Sequence, residues 1–201
     1  MTAHLLAWFT RLFTGARARW RGWQPAAPKT RVFFANHTSH LDFVLLWSTL
    51  PRTLREQTRP AAALDYWGSP LRRRIAEGIF RAVLIERQHV NRSSNPLQQL
   101  LAAMQDGSSI ILFPEGTRGS DPLRVGAFKG GLWHLAKARP DAEFVPVHIE
   151  NLSRVLPKGE ILPVPFLCRV TFGPPLPLHD SELKTDFLHR AREAVCQLQQ
   201  P

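Results

Sequence analysis

Short apolar strands alternating with helix-length segments predict an α/β fold. It is a single domain whose largely parallel central sheet is covered by helices, preceded by an N-terminal amphipathic helix. Three observations carry this. The runs "RVFFA" (31–35), "AVLI" (82–85) and "SIILF" (109–113) lack polar alternation, as strands covered on both faces do. The stretches between them show i, i+3, i+4 apolar spacing with Pro and Gly at their ends. At 201 residues the chain is long enough for one domain with a real core and short for two.

The elements follow in order. Leu5, Trp8, Phe9, Leu12, Phe13, Ala16, Trp20 and Trp23 fall on one face of a helix spanning residues 3–23, which "PAAP" at 25–28 ends. A strand over 31–35 leads to a helix over 41–50. "PAAAL" (60–64) suits a strand, and Pro70 opens a basic helix over 71–80. "AVLI" ends at Glu86 and Arg87. "SSNPLQQLLAAMQDG" reads as a helix with a polar cap, Pro96 in its first turn and Gly107 past its end. "SIILF" follows, then a helix over 127–139, the strand "EFVPVHI", a Pro-rich stretch, the strand "CRVTF" and a terminal helix capped by Ser181. Residues 1–28 are thus expected to form the helix and its linker, and 29–201 the main domain.

The net charge is +10, from 26 basic and 16 acidic residues, which suits an anionic partner such as nucleic acid, an anionic lipid surface or an acidic protein. Arginine bias alone can produce such a surplus, so its distribution matters more. Residues 1–31 hold Arg11, Arg17, Arg19, Arg21, Lys29 and Arg31, no acidic residue, and three of the six tryptophans. That pattern favours a helix lying in a membrane interface over one packed on the protein's own core. No apolar run reaches the length of a membrane span, and Cys168 and Cys196 form no disulfide framework. The expected location is inside the cell, peripheral to the membrane at its cytoplasmic face.

Polar clusters stand at the carboxyl ends of three predicted strands: His37–Asp42, Glu86–Arg87 and Glu115–Arg118. In parallel sheets ligand sites gather at those ends. Ser39–Asp42 fits a capping box, a purely structural use that leaves His37 unexplained. His37, in the loop before the helix, can fold back towards Asp42, whose carboxylate would fix the imidazole tautomer and leave the other nitrogen free to accept a proton. No Ser or Cys lies in an activating motif, so the nucleophile belongs to a substrate. His37, His40 and Asp42 as metal ligands would be a weak set without further ligands. In "FPEGTRG", Gly116 and Gly119 permit tight turns and Arg118 offers a planar fork for phosphate or carboxylate; an ordinary turn with a Glu115–Arg118 ion pair is the structural alternative.

Together these motifs resemble those of the glycerolipid acyltransferases, the group that contains the 1-acylglycerol-3-phosphate acyltransferases. "NHTSHLD" is similar to the family's H-x4-D signature, "AVLIER" to its second motif, "FPEGTR" to its third and "VPVHI" to its fourth. "GAFKGG" resembles the basic stretch after the third, and order and spacing agree over about residues 30–175. Gly119 stands where the family often has Ser.

The resemblance implies that His37 is the general base and Asp42 its partner. It implies that Arg87, Glu115, Gly116, Thr117 and Arg118 hold the acceptor's phosphate or glycerol, with Lys129 and Pro146 as supporting positions. The donor would be acyl-CoA or acyl carrier protein, the acceptor a lysophospholipid and the surface an anionic membrane; no metal, bound cofactor or nucleic acid is implied. Other acceptors (glycerol 3-phosphate, another lysolipid, an amino-acid lipid) remain open within the family, and a basic nucleic-acid-binding domain is the reading from another class.

Overall fold

The computed structural model describes residues 2–25, 29–39, 41–86, 95–119, 121, 124–150 and 168–199. Three β strands drawn from distant parts of the sequence form the centre of the sheet: β2 (Arg31–Ala35), β5 (Ser109–Leu112) and β6 (Glu143–Glu150). β3 (Thr58–Ala63), β4 (Val83–Ile85), β1 (Arg17–Trp20) and β7 (Arg169–Phe172) complete the order β1-β7-β6-β2-β5-β3-β4. Every neighbouring pair is parallel except β6 with β7, so β1 and β7 run against the other five.

Strand alternation divides the core. Phe33, Ala35, Ile111, Val145 and Val147 face one side, where α1 (Thr2–Thr14) and α2 (Asp42–Thr49) pack through Ala7, Phe43, Leu46 and Trp47. Val32, Phe34, Ile110 and Phe144 face the other, beneath α6 (Pro96–Gln105), α7 (Gly131–Ala138) and α8 (Lys184–Gln197). Successive residues of β2 therefore enter opposite cores, which is why the strand is apolar throughout. The short helices α3 (Arg52–Glu56) and α4 (Leu64–Trp67) and the basic α5 (Pro70–Gly78) surround β3.

Several expectations are corrected. The first helix ends at Thr14, not at residue 23: Gly15 turns the chain with φ +57° and Arg17–Trp20 becomes a strand paired with β7. Trp20 stacks on Phe172, ring centroids 4.1 Å apart, so it belongs to the sheet's packing and not to the helix stripe. The boundary drawn at residue 28 therefore does not separate a helix-and-linker unit from the rest. Ser181 is not the last helix's cap; that helix starts at Lys184 behind Leu183. α7 starts at Gly131, four residues later than expected. In α6 the cap is Asn95, whose side chain accepts the Leu97 N–H at 3.0 Å.

The large apolar residues of α1 face outward. Its inward face places Ala7, only 2% exposed, in the core with Ala3 and Leu6 packed beside it, while Leu5, Trp8, Phe9, Leu12 and Phe13 are 46–62% exposed. Among the described residues, no helix is long and apolar enough to cross a membrane.

Candidate active site

The carboxyl end of β2 is tied down before the chemistry begins. Asn36, 3% exposed, donates from Nδ2 to the Ile149 carbonyl (3.0 Å), and its Oδ1 accepts the Ile149 N–H (2.8 Å), stapling the loop to β6. His37 follows in that loop and Asp42 opens α2. Asp42 is fully buried, and its Oδ2 lies 2.8 Å from His37 Nδ1. The same oxygen accepts the N–H groups of Thr38 (2.6 Å) and Ser39 (2.8 Å). These bonds make the carboxylate half of the capping box; the other half is missing, because the Ser39 hydroxyl accepts the Leu41 N–H (3.3 Å).

An ionised carboxylate only accepts, so Nδ1 carries the imidazole proton and Nε2 presents a lone pair. The ring lies flat on Phe113, centroids 4.4 Å apart and planes 23° from parallel, which restricts its rotation. Asp42 thus orders the entry to α2 and orients the His37 imidazole with one oxygen. Its Oδ1 is buried with no hydrogen-bond partner among the described residues.

The turn after β5 completes the site from below. Glu115 Oε1 accepts the His37 N–H (2.8 Å) and Oε2 accepts the Gly126 N–H (3.0 Å). Burial raises its carboxyl pKa, and the two backbone donors oppose that shift. The Gly119 N–H donates to the His37 carbonyl at 2.9 Å, so the histidine's backbone is held at both its polar atoms. Gly116 has φ +74°, and Lys129 lies so close over it that an added Cβ would come within 2.7 Å of Nζ. Gly126 is equally constrained: a Cβ there would come within 2.6 Å of Glu115 Oε2.

Two cavities meet at His37. The first, about 620 Å³, is polar in part, lined by Asp65, Tyr66, Thr117 and Arg118 as well as His37 and Trp67. The second, about 250 Å³, is walled by Ile85, Leu97, Leu100, Leu112 and Leu132, with Lys129 on its lining. A separate cavity of about 630 Å³ lies at the opposite rim, by the start of β6, and contains neither His37 nor Asp42.

The sequence-predicted residues are thus partly gathered. His37, Thr117 and Arg118 line the first cavity, and His37, Gly116 and Lys129 the second. Glu115, expected on the acceptor, turns its carboxylate inward to backbone. Pro146 sits buried within β6 opposite Phe34, lining neither cavity. Arg87 and His40 lie outside the described residues. Asn36, Phe113 and the Asp65–Trp67 wall escaped sequence reading. An amide at the end of an apolar strand was the available signal for Asn36; the aromatic wall had none. Burial pushes the Cys168 thiol up to about 11, with the Asp42 charge adding to the shift, which leaves it protonated and inert as a nucleophile.

The family model described as "Acyltransferase" matches residues 21–150. A 1-acyl-sn-glycerol-3-phosphate acyltransferase of Chlamydomonas reinhardtii is 28% identical over 138 residues, covering 68% of this chain and 39% of that protein. A chloroplastic 1-acyl-sn-glycerol-3-phosphate acyltransferase of Arabidopsis thaliana is 26% identical over 138 residues, covering 67% and 36%. The chain thus spans less than half the length of these relatives. The crystal structure of PlsC, the 1-acyl-sn-glycerophosphate acyltransferase of Thermotoga maritima, superposes with a TM-score of 0.75 at 18% identity, covering 98% of this chain and 76% of that one.

Proposed function

The chain belongs to the acyltransferase family, and on that premise we propose that it moves a fatty acyl group from a thioester to the free hydroxyl of a lysophospholipid. In the simplest case the acceptor is 1-acylglycerol 3-phosphate and the product phosphatidic acid. The thioester is that of acyl-CoA or acyl carrier protein. The observation that carries the reading is the 2.8 Å contact between His37 Nδ1 and buried Asp42 Oδ2 at a point where a polar and an aliphatic cavity meet.

The steps follow from that arrangement. His37 Nε2 takes the proton of the acceptor hydroxyl as its oxygen attacks the thioester carbonyl carbon. Asp42, already bonded to Nδ1–H, stabilises the imidazolium that forms. Collapse of the tetrahedral intermediate breaks the carbon–sulfur bond, and the departing thiolate takes the proton back from His37. Ester and thiol leave, and the base is regenerated. Buried dipoles act strongly here because the surroundings are apolar.

The acceptor's phosphate or glycerol suits the polar cavity, with Arg118 and Thr117 as contacts, and Arg87 remains part of this assignment. The aliphatic cavity suits an acyl chain, with Lys129 as the nearby cation. Glu115 and Gly116 are read as positioning residues that hold the His37 loop. The outward apolar row of α1 supports a place in the membrane interface, since contiguous exposed apolar surface of that kind marks a docking face. We infer a peripheral enzyme on the anionic cytoplasmic leaflet.

The test is direct. The purified chain is incubated with a panel of lysolipids, glycerol 3-phosphate and both donor types, and products are identified by mass. Acylated lysophosphatidic acid is the expected product. Retention on DNA that weakens with salt, with no acyl transfer to any acceptor, would establish the nucleic-acid reading instead.

A further inference from the structure

A fourth cavity, of about 720 Å³, opens where α1 meets the edge of the sheet. Its lining includes Arg11, Arg17, Arg19 and Arg169 together with Trp8 and Leu12. Glu150 is the only acidic residue among the described lining, and it pairs with Arg169 at 3.3 Å. No side chain among the described residues forms an ion pair with Arg11, Arg17 or Arg19. Further along the basic N-terminal stretch, Lys29 and Arg31 both pair with Glu143. Three arginines without an ion pair among the described residues thus line one cavity, and planar guanidinium forks match phosphate oxygens.

Strand direction places this cavity. β1 runs opposite to β2, so its first residue, Arg17, stands at the same rim as the last residues of β2 and β6. Arg17, Arg169 and Glu150 form one row across β1, β7 and β6. Glu150 lies one residue beyond Ile149, which Asn36 staples beside His37. β1 is three strands from β2, about 14 Å at the usual inter-strand spacing. The cationic cavity, the C-terminal end of α1 and the His37 clefts therefore share one end of the sheet, while His4 at the start of α1 pairs with Glu56 near the other.

We propose that this cavity binds the phosphate headgroup of an anionic, non-reacting bilayer phospholipid, with Arg11, Arg17 and Arg19 on the phosphate and Trp8 and Leu12 along the apolar part. A ligand that is charged at one end and apolar at the other uses both kinds of lining residue; a free anion or a nucleic acid uses only the arginines. Trp8, 56% exposed, has the amphipathic ring that suits the headgroup level. The proposal deepens the interfacial reading of α1, and it makes headgroup binding the step that sets the active-site rim against the bilayer.

The experiment compares the full chain with Arg17→Gln/Arg19→Gln and with a charge-matched control, Arg72→Gln/Arg74→Gln on exposed α5. All are sedimented with phosphatidylcholine vesicles with and without phosphatidylglycerol. At about 1 kcal/mol for each arginine near an anionic surface, the cavity pair should lose roughly twentyfold or more in partition onto the anionic vesicles. The control pair should lose much less; equal losses would mean diffuse attraction and overturn the proposal. Calorimetry with monomeric short-chain phosphatidylglycerol should give saturable binding that the cavity pair abolishes. Equally tight binding of inorganic phosphate would overturn the lipid assignment in favour of a free-anion site. Turnover of detergent-dispersed substrate should match the parent in both variants. A parent that turns over nothing yet binds anionic vesicles through the cavity would sink the acyltransferase reading and leave this one standing.

Discussion

The carboxylate of Glu115 accepts the backbone N–H of His37, 78 residues earlier in the chain, at 2.8 Å, while its other oxygen accepts the Gly126 N–H. One buried side chain thus joins the histidine loop, the turn after β5 and the segment that carries Lys129. Glu115→Gln keeps one acceptor but sets an amide donor against one of the two N–H groups. Leaving a buried donor unmade costs about 1–3 kcal/mol. The expected result is a lower melting temperature and a reduced kcat with little change in KM for the phosphorylated acceptor. A raised KM with kcat intact would mean that Glu115 touches the acceptor.

His37→Ala should lower acyl transfer by about 10²- to 10⁴-fold in a folded protein, the usual contribution of a positioned general base. Asp42→Asn should damage both activity and stability. Its Oδ2 holds His37 Nδ1 and two backbone N–H groups, and an amide cannot serve all three if its nitrogen faces them. Steady-state rates beside circular dichroism melts separate the two effects. Near-normal turnover in well-folded His37→Ala would end the proposed mechanism.

Arg118 is exposed beside the polar cavity, and no side chain among the described residues bonds to it. One charge-assisted hydrogen bond is worth about 1.5–3 kcal/mol, so Arg118→Ala should be roughly tenfold to a hundredfold worse towards a phosphorylated acceptor. Lys should restore only part, since a point charge cannot copy the fork. Kinetics with each substrate varied in turn provide the check; a defect confined to the acyl donor would reverse the two substrates.

Trp8 and Phe9 are 56% and 46% exposed, so Trp8→Glu combined with Phe9→Glu should leave the melting temperature nearly unchanged. The double variant should no longer sediment with anionic vesicles, and it should turn over bilayer substrate poorly while still acting on detergent-dispersed substrate. Destabilisation in the absence of lipid would show that the row packs against protein.

His148 is buried in β6, and desolvation lowers its pKa below the ordinary 6.5, with Glu150 opposing weakly. Below that value the unfolded chain binds a proton that the folded chain resists. Stability therefore falls as pH drops through about 6.5. His148→Gln should narrow the difference in melting temperature between about pH 7 and about pH 5. An unchanged difference would assign the acid sensitivity to other groups.

Much of the sheet was legible because its signals are local. β2, β5 and β6 are apolar runs whose two faces enter two cores, and uninterrupted apolarity in a short segment already states that both faces are covered. The His37–Asp42 pair was legible for the same reason: its partners are five residues apart at a helix entry, and a carboxylate there has few other places to go. β1 was not legible. "RARW" continues the helical stripe of α1 on paper, and it becomes a strand only because β7, some 150 residues later, offers a free edge. The sequence alone also left the role of Glu115 as a turn residue or acceptor contact, because its backbone partners come from distant loops.

The orientation of α1 shows the division most clearly. Periodicity determined that its large apolar residues share a face, and it could not say which way that face points. The tertiary structure decided it: Ala7 is buried and Ala3 and Leu6 pack against the core that α2 shares, and Leu5, Trp8, Phe9, Leu12 and Phe13 are left outside. Local sequence fixes which side chains travel together along an element; what each face meets depends on packing partners elsewhere in the chain, and only the assembled fold supplies those.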